Sequence, residues 1–184
     1  IMYSGMIQVP LNLIAGEEQL SYVVDHSEAK IILVSSKYID LAQKITANVS
    51  REIEIIEIDK NIFVDQLEQT NNEKIWEIDQ HDPALLMYTS GTTGKPKGVM
   101  LSHKNILAGG KNVALSHKLK TNDRALCVLP LYHINGAVVT VLGPLVSQSS
   151  LILCERFSVT NFWKFISTFN CTWFSIVPTI ISSL

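Results

Sequence analysis

The chain has 184 residues, 47% of them hydrophobic and 17% charged, and carries a net charge of −2. That length and balance suit one ordinary globular domain with a sizeable core, and they give no reason to expect a nucleic acid partner. Its three cysteines, Cys127, Cys154 and Cys171, are odd in number and widely spaced with no C-x-x-C pair. They read as buried free thiols in a reducing compartment, not as a disulfide frame or a metal site.

Residues Ile1 to Leu13 are apolar but have no basic leader, and Gly5 and Pro10 interrupt them. The longest apolar run, Ala137 to Val146, contains Gly143 and Pro144 and falls well short of the about 20 residues of a membrane span. The expectation is a soluble, cytoplasmic protein. Ile1-Met2-Tyr3 and Ile180 to Leu184 both lie inside apolar segments, so the chain reads as an internal piece of a longer protein.

Taken in order, Gly16 to Ser27 places Leu20, Val23, Val24 and Ser27 on one helical face, with Glu17 and Glu18 at the end the helix dipole favours. Lys30 to Val34 predicts a buried strand, Lys37 to Ala47 a second helix and Ile53 to Ile58 an alternating strand. This alternation predicts an α/β fold with a largely parallel sheet and flanking helices. Residues 59–83 are an acidic connection with only scattered apolar positions, and His81-Asp82-Pro83 within it is the entry to a strand, not a catalytic group. A strand at Ala84 to Met87 follows. Beyond it lie a short apolar run, Val99 to Leu101, and a helix over His103 to Ser116 capped by Ser102, with Ile106, Leu107, Val113 and Ala114 on one face. Gly109-Gly110 either weakens that helix or lets something pack closely. Ala125 to Leu129 predicts a strand, Gly136 to Val146 a buried helix, Ser150 to Leu153 a strand, and Ser158 to Phe169 an amphipathic helix with Val159, Phe162, Trp163, Ile166 and Phe169 on its packed face. A last strand is expected at Thr172 to Val177, after which Pro178 opens a helix.

Between the strands at 84–87 and 99–101 the composition changes abruptly. Thr89 to Val99 holds three glycines, four hydroxyl side chains, two lysines and a proline. Gly91 and Gly94 allow positive φ and close backbone approach to a ligand. The hydroxyls of Thr89, Ser90, Thr92 and Thr93 suit phosphate oxygens, and one threonine can also ligate Mg²⁺. Pro96 holds Lys95 extended, which lets Lys95 and Lys97 point the same way. The pattern predicts polyphosphate binding, but not by a P-loop NTPase. That motif needs G-x-x-x-x-G-K-[ST], whereas Gly94-Lys95-Pro96 puts proline at the required hydroxyl position. The dinucleotide pattern G-x-G-x-x-G is absent as well.

YTSGTTGKPKGVMLSH, Tyr88 to His103, resembles the phosphate-loop signature of the adenylate-forming superfamily, which includes acyl- and aryl-CoA synthetases, luciferases and peptide-synthetase adenylation domains. MIQVPLN at Met6 to Asn12 and LPLYHINGAVV at Leu129 to Val139 resemble the segments these enzymes carry before and after the loop, so the resemblance runs along nearly the whole chain. It implies part of the large N-terminal domain over residues 1–184: an α/β segment at 1–58, the acidic connection at 59–83, and the loop with an acyl-pocket segment at 84–184. It also implies ATP, Mg²⁺ and coenzyme A as cofactors. Thr89, Ser90, Gly91, Thr92, Thr93, Gly94, Lys95 and Lys97 would bind phosphate, with Lys97 and Thr93 catalytic, Thr93 also on the metal, and Lys95 auxiliary. His133, at the C-terminal end of a predicted strand where ligands bind in open α/β sheets, matches the histidine beside the acyl pocket. Asn135 would neighbour it, Gly136 would leave room for substrate, and Val138, Val139 and Leu142 would form an apolar wall.

The resemblance implies attack of a carboxylate, of a fatty or other apolar acid, on the α-phosphorus of ATP, and then displacement of AMP by the thiol of coenzyme A. The family's Tyr-Gly-x-Thr-Glu segment, ribose-binding aspartate and C-terminal lysine domain have no counterpart here, so this piece alone is expected to be inactive. Three alternatives stand beside that reading: an acyl-AMP ligase or adenylation domain that loads a carrier protein, a non-catalytic phosphate-binding module, and, last, a kinase-like phosphoryl transferase.

Overall fold

The computed structural model describes residues 1–58, 76–89 and 94–184. Its contacts divide the chain into two units, Ile1–Ile78 with Ala84–Met100, and Asp79–Pro83 with Leu101–Leu184.

In the first unit, helix α1 spans Glu17–His26, with both glutamates in its first turn and Leu20, Val23 and Val24 buried. Arg51 closes its other end: the guanidinium donates to the carbonyls of Val24 and Ala29 and meets Asp25 Oδ1 at 2.9 Å. Cationic donors at the C-terminal carbonyls complement the helix dipole. Strands β1 (Ile31–Val34) and β2 (Glu54–Glu57) pair in parallel from Ile31 opposite Glu54 to Val34 opposite Glu57. Helix α2 (Ile39–Thr46) crosses between them and is preceded by a 3₁₀ turn at Ser36–Tyr38, which takes up the start of the single helix expected from Lys37. Leu20, Val24, Ile32, Ala42 and Ile45 form the core between helices and strands. Strands β3 (Pro83–Thr89) and β4 (Lys97–Ser102) pair in a second sheet, and Gln8 forms a parallel bridge to Leu85 of β3.

In the second unit, helix α3 (His103–Ser116) starts at the expected cap. Ser102 Oγ accepts from the Asn105 N–H, and the Ser102 N–H donates in turn to Asn105 Oδ1. Strands β5 (Arg124–Cys127), β6 (Ser150–Leu153) and β7 (Trp173–Phe174) form a parallel sheet in the order β6-β5-β7. Parallel pairing and the βαβ alternation are as the sequence predicts. The strand expected over 172–177 is shorter, because β7 pairs with β5 only at Ala125–Trp173 and Leu126–Phe174.

The buried helix expected over 136–146 is present but is not a plain α-helix. Asn135–Leu142 is π-helical and continues as α4, Gly143–Val146. The change falls at Gly143-Pro144, where proline has no N–H to donate to the turn before it. The glycines of α3 meet this segment: a Cβ on Gly109 would lie 2.8 Å from Val138 Cγ1, and one on Gly110 3.1 Å from the Leu142 carbonyl oxygen. Close packing is thus what the glycine pair provides.

Helix α5 (Val159–Phe169) buries a face rotated from the expected one. Phe162 is 1% exposed and meets Phe157, Trp163 and Phe174 edge-on, and Phe165 and Ile166 pack beside it, while Val159 and Trp163 face outward. A short helix, α6 (Pro178–Ile181), opens on proline as expected.

Arg124 ties the sheet's entry to its neighbours, donating from Nε to Ser150 Oγ at 3.0 Å and from Nη1 to the Phe169 carbonyl at 2.6 Å. Arg124→Ala should destabilise the protein by about 1–2 kcal/mol, the scale of partly solvated charged hydrogen bonds, and lower Tm by several degrees. An unchanged Tm in thermal unfolding would show these bonds to be idle.

Candidate active site

β3 ends at Thr89 and β4 begins at Lys97, so the glycine- and hydroxyl-rich stretch is the connection between them. Thr89, Gly94, Lys95 and Lys97 are described. Ser90, Gly91, Thr92 and Thr93, the last with the hydroxyl expected on magnesium, lie outside the described residues. The Thr89 hydroxyl reaches the Lys97 carbonyl oxygen at 3.5 Å, a long contact that marks the neck of the loop. Gly94 has φ +86° with open space where a Cβ would stand. Its backbone conformation requires glycine there, and crowding does not. Pro96 is buried, whereas Lys97 is exposed at the first position of β4.

Two side chains of α1 reach the ends of this loop. The Tyr88 hydroxyl, one residue before Thr89, lies 2.7 Å from His26 Nδ1. Burial, and then the neighbouring Tyr22, push the Tyr88 hydroxyl's pKa up, so it keeps its proton at neutral pH. On the other side, the Lys95 ammonium lies 5.7 Å from the centre of the Tyr22 ring. The sequence gives no sign of either contact, since the His26–Tyr88 pair is 62 residues apart.

In the chain β4 stands between the loop and α3, and the first N–H groups of that helix already have partners. The N–H groups of His103 and Lys104 donate to the Asp82 and Gln80 carbonyls at 3.1 and 2.8 Å, and that of Asn105 donates to Ser102 Oγ. The Asp82 carboxylate accepts from the Asp79 N–H and the Asp79 carboxylate from the His81 N–H, so this acidic pair builds a turn.

The second candidate segment follows the central strand of the three-stranded sheet. β5 leads through Val128 and Leu129 to a turn at Pro130, where the His133 N–H donates to the Pro130 carbonyl at 3.1 Å. His133 is exposed, and its ring is tilted against Tyr132 with centroids 4.6 Å apart. Asn135 is held from two sides: its Oδ1 accepts from Ser175 Oγ at 2.9 Å and from the buried Thr140 hydroxyl at 3.4 Å. Ser175 immediately follows β7 and was not expected near this segment. Gly136 departs from the expected role of leaving room for substrate. A Cβ there would stand 2.3 Å from the Pro130 carbonyl oxygen and 2.9 Å from that of Leu129, so the chain's own backbone fills the space. The expected apolar wall is likewise reduced, because Val138 is buried against Gly109 of α3.

Among the described residues no group of three or more His, Cys, Asp or Glu side chains comes together as a metal site. None of the described helices is long and apolar enough to cross a membrane. Cys127 is buried and Cys154 and Cys171 are half-buried, and all three thiols are free. Burial pushes each thiol's pKa up, which favours the protonated thiol at neutral pH.

A parallel α/β fold with a glycine-, threonine- and lysine-rich loop between two strands, and a histidine beyond the central strand of its sheet, is the fold of the N-terminal domains of acyl-CoA synthetases. The chain belongs to the AMP-binding enzyme family, which it matches over residues 1–184. It is 38% identical to the sulfoacetate–CoA ligase of Cupriavidus necator over all of its length and 36% of that protein's. It is 31% identical to the oxalate–CoA ligase of Arabidopsis thaliana, over 98% of the chain and 38% of the relative. Among solved structures it resembles ATP-bound MatB from Rhodopseudomonas palustris with a TM-score of 0.79 and 26% identity, over 95% of this chain and 35% of that one. The chain thus spans about a third of the length of the curated relatives it matches.

Proposed function

We propose that the protein containing this chain is an acid–thiol ligase that activates a carboxylic acid with ATP and transfers the acyl group to coenzyme A. The observation that carries this reading is the loop from Thr89 to Lys97, seated between two paired strands and lying inside a family match that runs the length of the chain. The carboxylate oxygen attacks the α-phosphorus, pyrophosphate leaves, and the thiol sulfur of coenzyme A then takes the acyl group as AMP departs. Bringing an anion onto a polyanion requires fixed positive charge and aligned donors.

Lys97 supplies the charge in this scheme, and Ser90, Gly91, Thr92, Thr93 and Gly94 supply hydroxyls and backbone N–H groups. Thr89 closes the neck of the loop, and Lys95 remains auxiliary. Magnesium screens the phosphate charge when bound. On this chain the Thr93 hydroxyl would help to hold it, together with phosphate oxygens. Of His133, Asn135 and Gly136, it is His133 that is exposed and would meet the acid, while Asn135 and Gly136 fix the turn that presents it.

Sulfoacetate and oxalate, the acids in the names of two relatives, are short and carry a second anionic group. We therefore favour a short polar acid over a fatty acid, and coenzyme A over a carrier protein as acceptor. The free thiols suit a reducing compartment such as the cytoplasm. Thioester formation by the complete protein, assayed with sulfoacetate, oxalate, malonate and octanoate, is expected to favour one of the dianions at least tenfold. Preference for octanoate would restore the fatty-acid reading, and transfer only to a holo-carrier protein would remove coenzyme A.

A further inference from the structure

β5 and β7 are parallel neighbours, paired at Ala125–Trp173 and Leu126–Phe174, so both strands run out at the same edge of their sheet. The carboxyl ends of strands are where open α/β sheets bind ligands. The chain leaving β5 turns at Pro130 and carries His133, and the chain leaving β7 begins with Ser175. Asn135 joins these two exits, because its Oδ1 accepts from Ser175 Oγ at 2.9 Å across 40 residues of sequence. The wholly buried Thr140 donates its one proton to the Asn135 carbonyl at 3.0 Å, which leaves its 3.4 Å contact with Oδ1 the weaker one. Ser175 is therefore the main donor to that oxygen.

Ser175 is also well placed to hold something else still. Phe174 before it meets Phe162 edge-on with centroids 5.2 Å apart, and Ile176 and Val177 after it pack into the core. A hydroxyl stands in a segment that otherwise packs apolar side chains, and among the described residues it bonds to Asn135 alone. The exposed His133 ring leans on Tyr132, so the backbone of the turn decides where it stands.

We propose that Ser175 is a positioning residue for the acid site: through Asn135 it ties the turn that carries His133 to the end of β7. This rests on the reading of His133 as the residue that meets the acid. Ser175 touches no substrate in this scheme. A group held in place before its ligand arrives avoids the cost of being ordered on binding. The effect should fall on the acid and not on ATP.

The test measures kcat and the KM values for the acid and for ATP in the complete protein, with Tm taken for every variant. The acid is whichever of sulfoacetate, oxalate, malonate and octanoate is turned over best. The variants are Ser175→Ala, Ser175→Thr, Asn135→Ala and the double variant Ser175→Ala/Asn135→Ala, with His133→Ala as the control for the acid site. Ser175→Ala should raise the KM for the acid about three- to tenfold and leave the KM for ATP in place. Ser175→Thr, which keeps the hydroxyl, should restore most of the loss. The double variant should be no worse than Asn135→Ala, because Ser175 acts through Asn135. An unmoved KM for the acid, whatever the Tm, or an equal rise in both KM values would overturn the proposal while His133→Ala still impairs use of the acid. Additive effects in the double variant, or Ser175→Thr no better than Ser175→Ala, would overturn it as well. If His133→Ala also leaves use of the acid intact, the acid-site reading falls and the proposal falls with it.

Discussion

Lys97→Ala, in the complete protein, should reduce acid-dependent ATP–pyrophosphate exchange by about 10²–10³-fold, the usual cost of removing one preorganised charge or donor from a site of developing negative charge. Lys97 is exposed at the start of β4 and takes part in neither of the ion pairs found among the described residues, which join Lys44 to Glu17 and Arg51 to Asp25. Tm should therefore stay within about one degree, as for most surface substitutions. Lys97→Arg keeps the charge but changes a compact ammonium for a planar fork, and should recover only part of the activity. A fall in exchange accompanied by a fall in Tm would instead place Lys97 in the structural frame of the loop.

The second large effect is expected at Gly136. Its missing Cβ would stand 2.3 Å from the Pro130 carbonyl oxygen, and neither partner is a side chain that can swing away. Gly136→Ala must move the turn after β5 or open the π-helical segment, at a cost of about 2–4 kcal/mol and a fall in Tm on the order of 10 °C. Gly98→Ala provides the comparison. Its Cβ would meet the end of the Leu86 side chain at 2.9 Å, which can rotate away, and the change should cost about 1 kcal/mol or less. Equal melting temperatures for the two variants would refute the packing account of Gly136.

Much of the architecture is legible in the sequence because local signals and burial agree. The helix at 103–116 has its hydroxyl cap and an asparagine three residues later, and β6 falls at the expected residues because a short apolar run lies between polar turns. Where long-range contacts decide, the sequence is less informative. The face of α5 is set by Phe162 packing on Phe157 and Phe174, so Trp163, which shares the helical period, is left outward. The π-helical turns at 135–142 give way to α-helix at Gly143-Pro144, and within them the Thr140 hydroxyl donates back to the Asn135 carbonyl at 3.0 Å. No periodicity argument contains either.

The loop is the most readable feature, since its chemistry lies in consecutive residues. Its surroundings are not. His26, Tyr22 and Ser175 are ordinary residues in sequence, and become notable only when the fold brings them to Tyr88, Lys95 and Asn135. Gly136 is the converse case. Its place beside a candidate histidine suggests room for a ligand, but the backbone of Leu129 and Pro130 already occupies that room.

ATP–pyrophosphate exchange by the complete protein, with and without a panel of carboxylic acids, tests the central claim most directly. The account predicts exchange that depends on the acid, is strongest with a short dianionic acid, and is nearly lost in Lys97→Ala. A folded protein that binds ATP yet exchanges no pyrophosphate with any acid would contradict it, and would leave the loop as a phosphate-binding element without ligase chemistry.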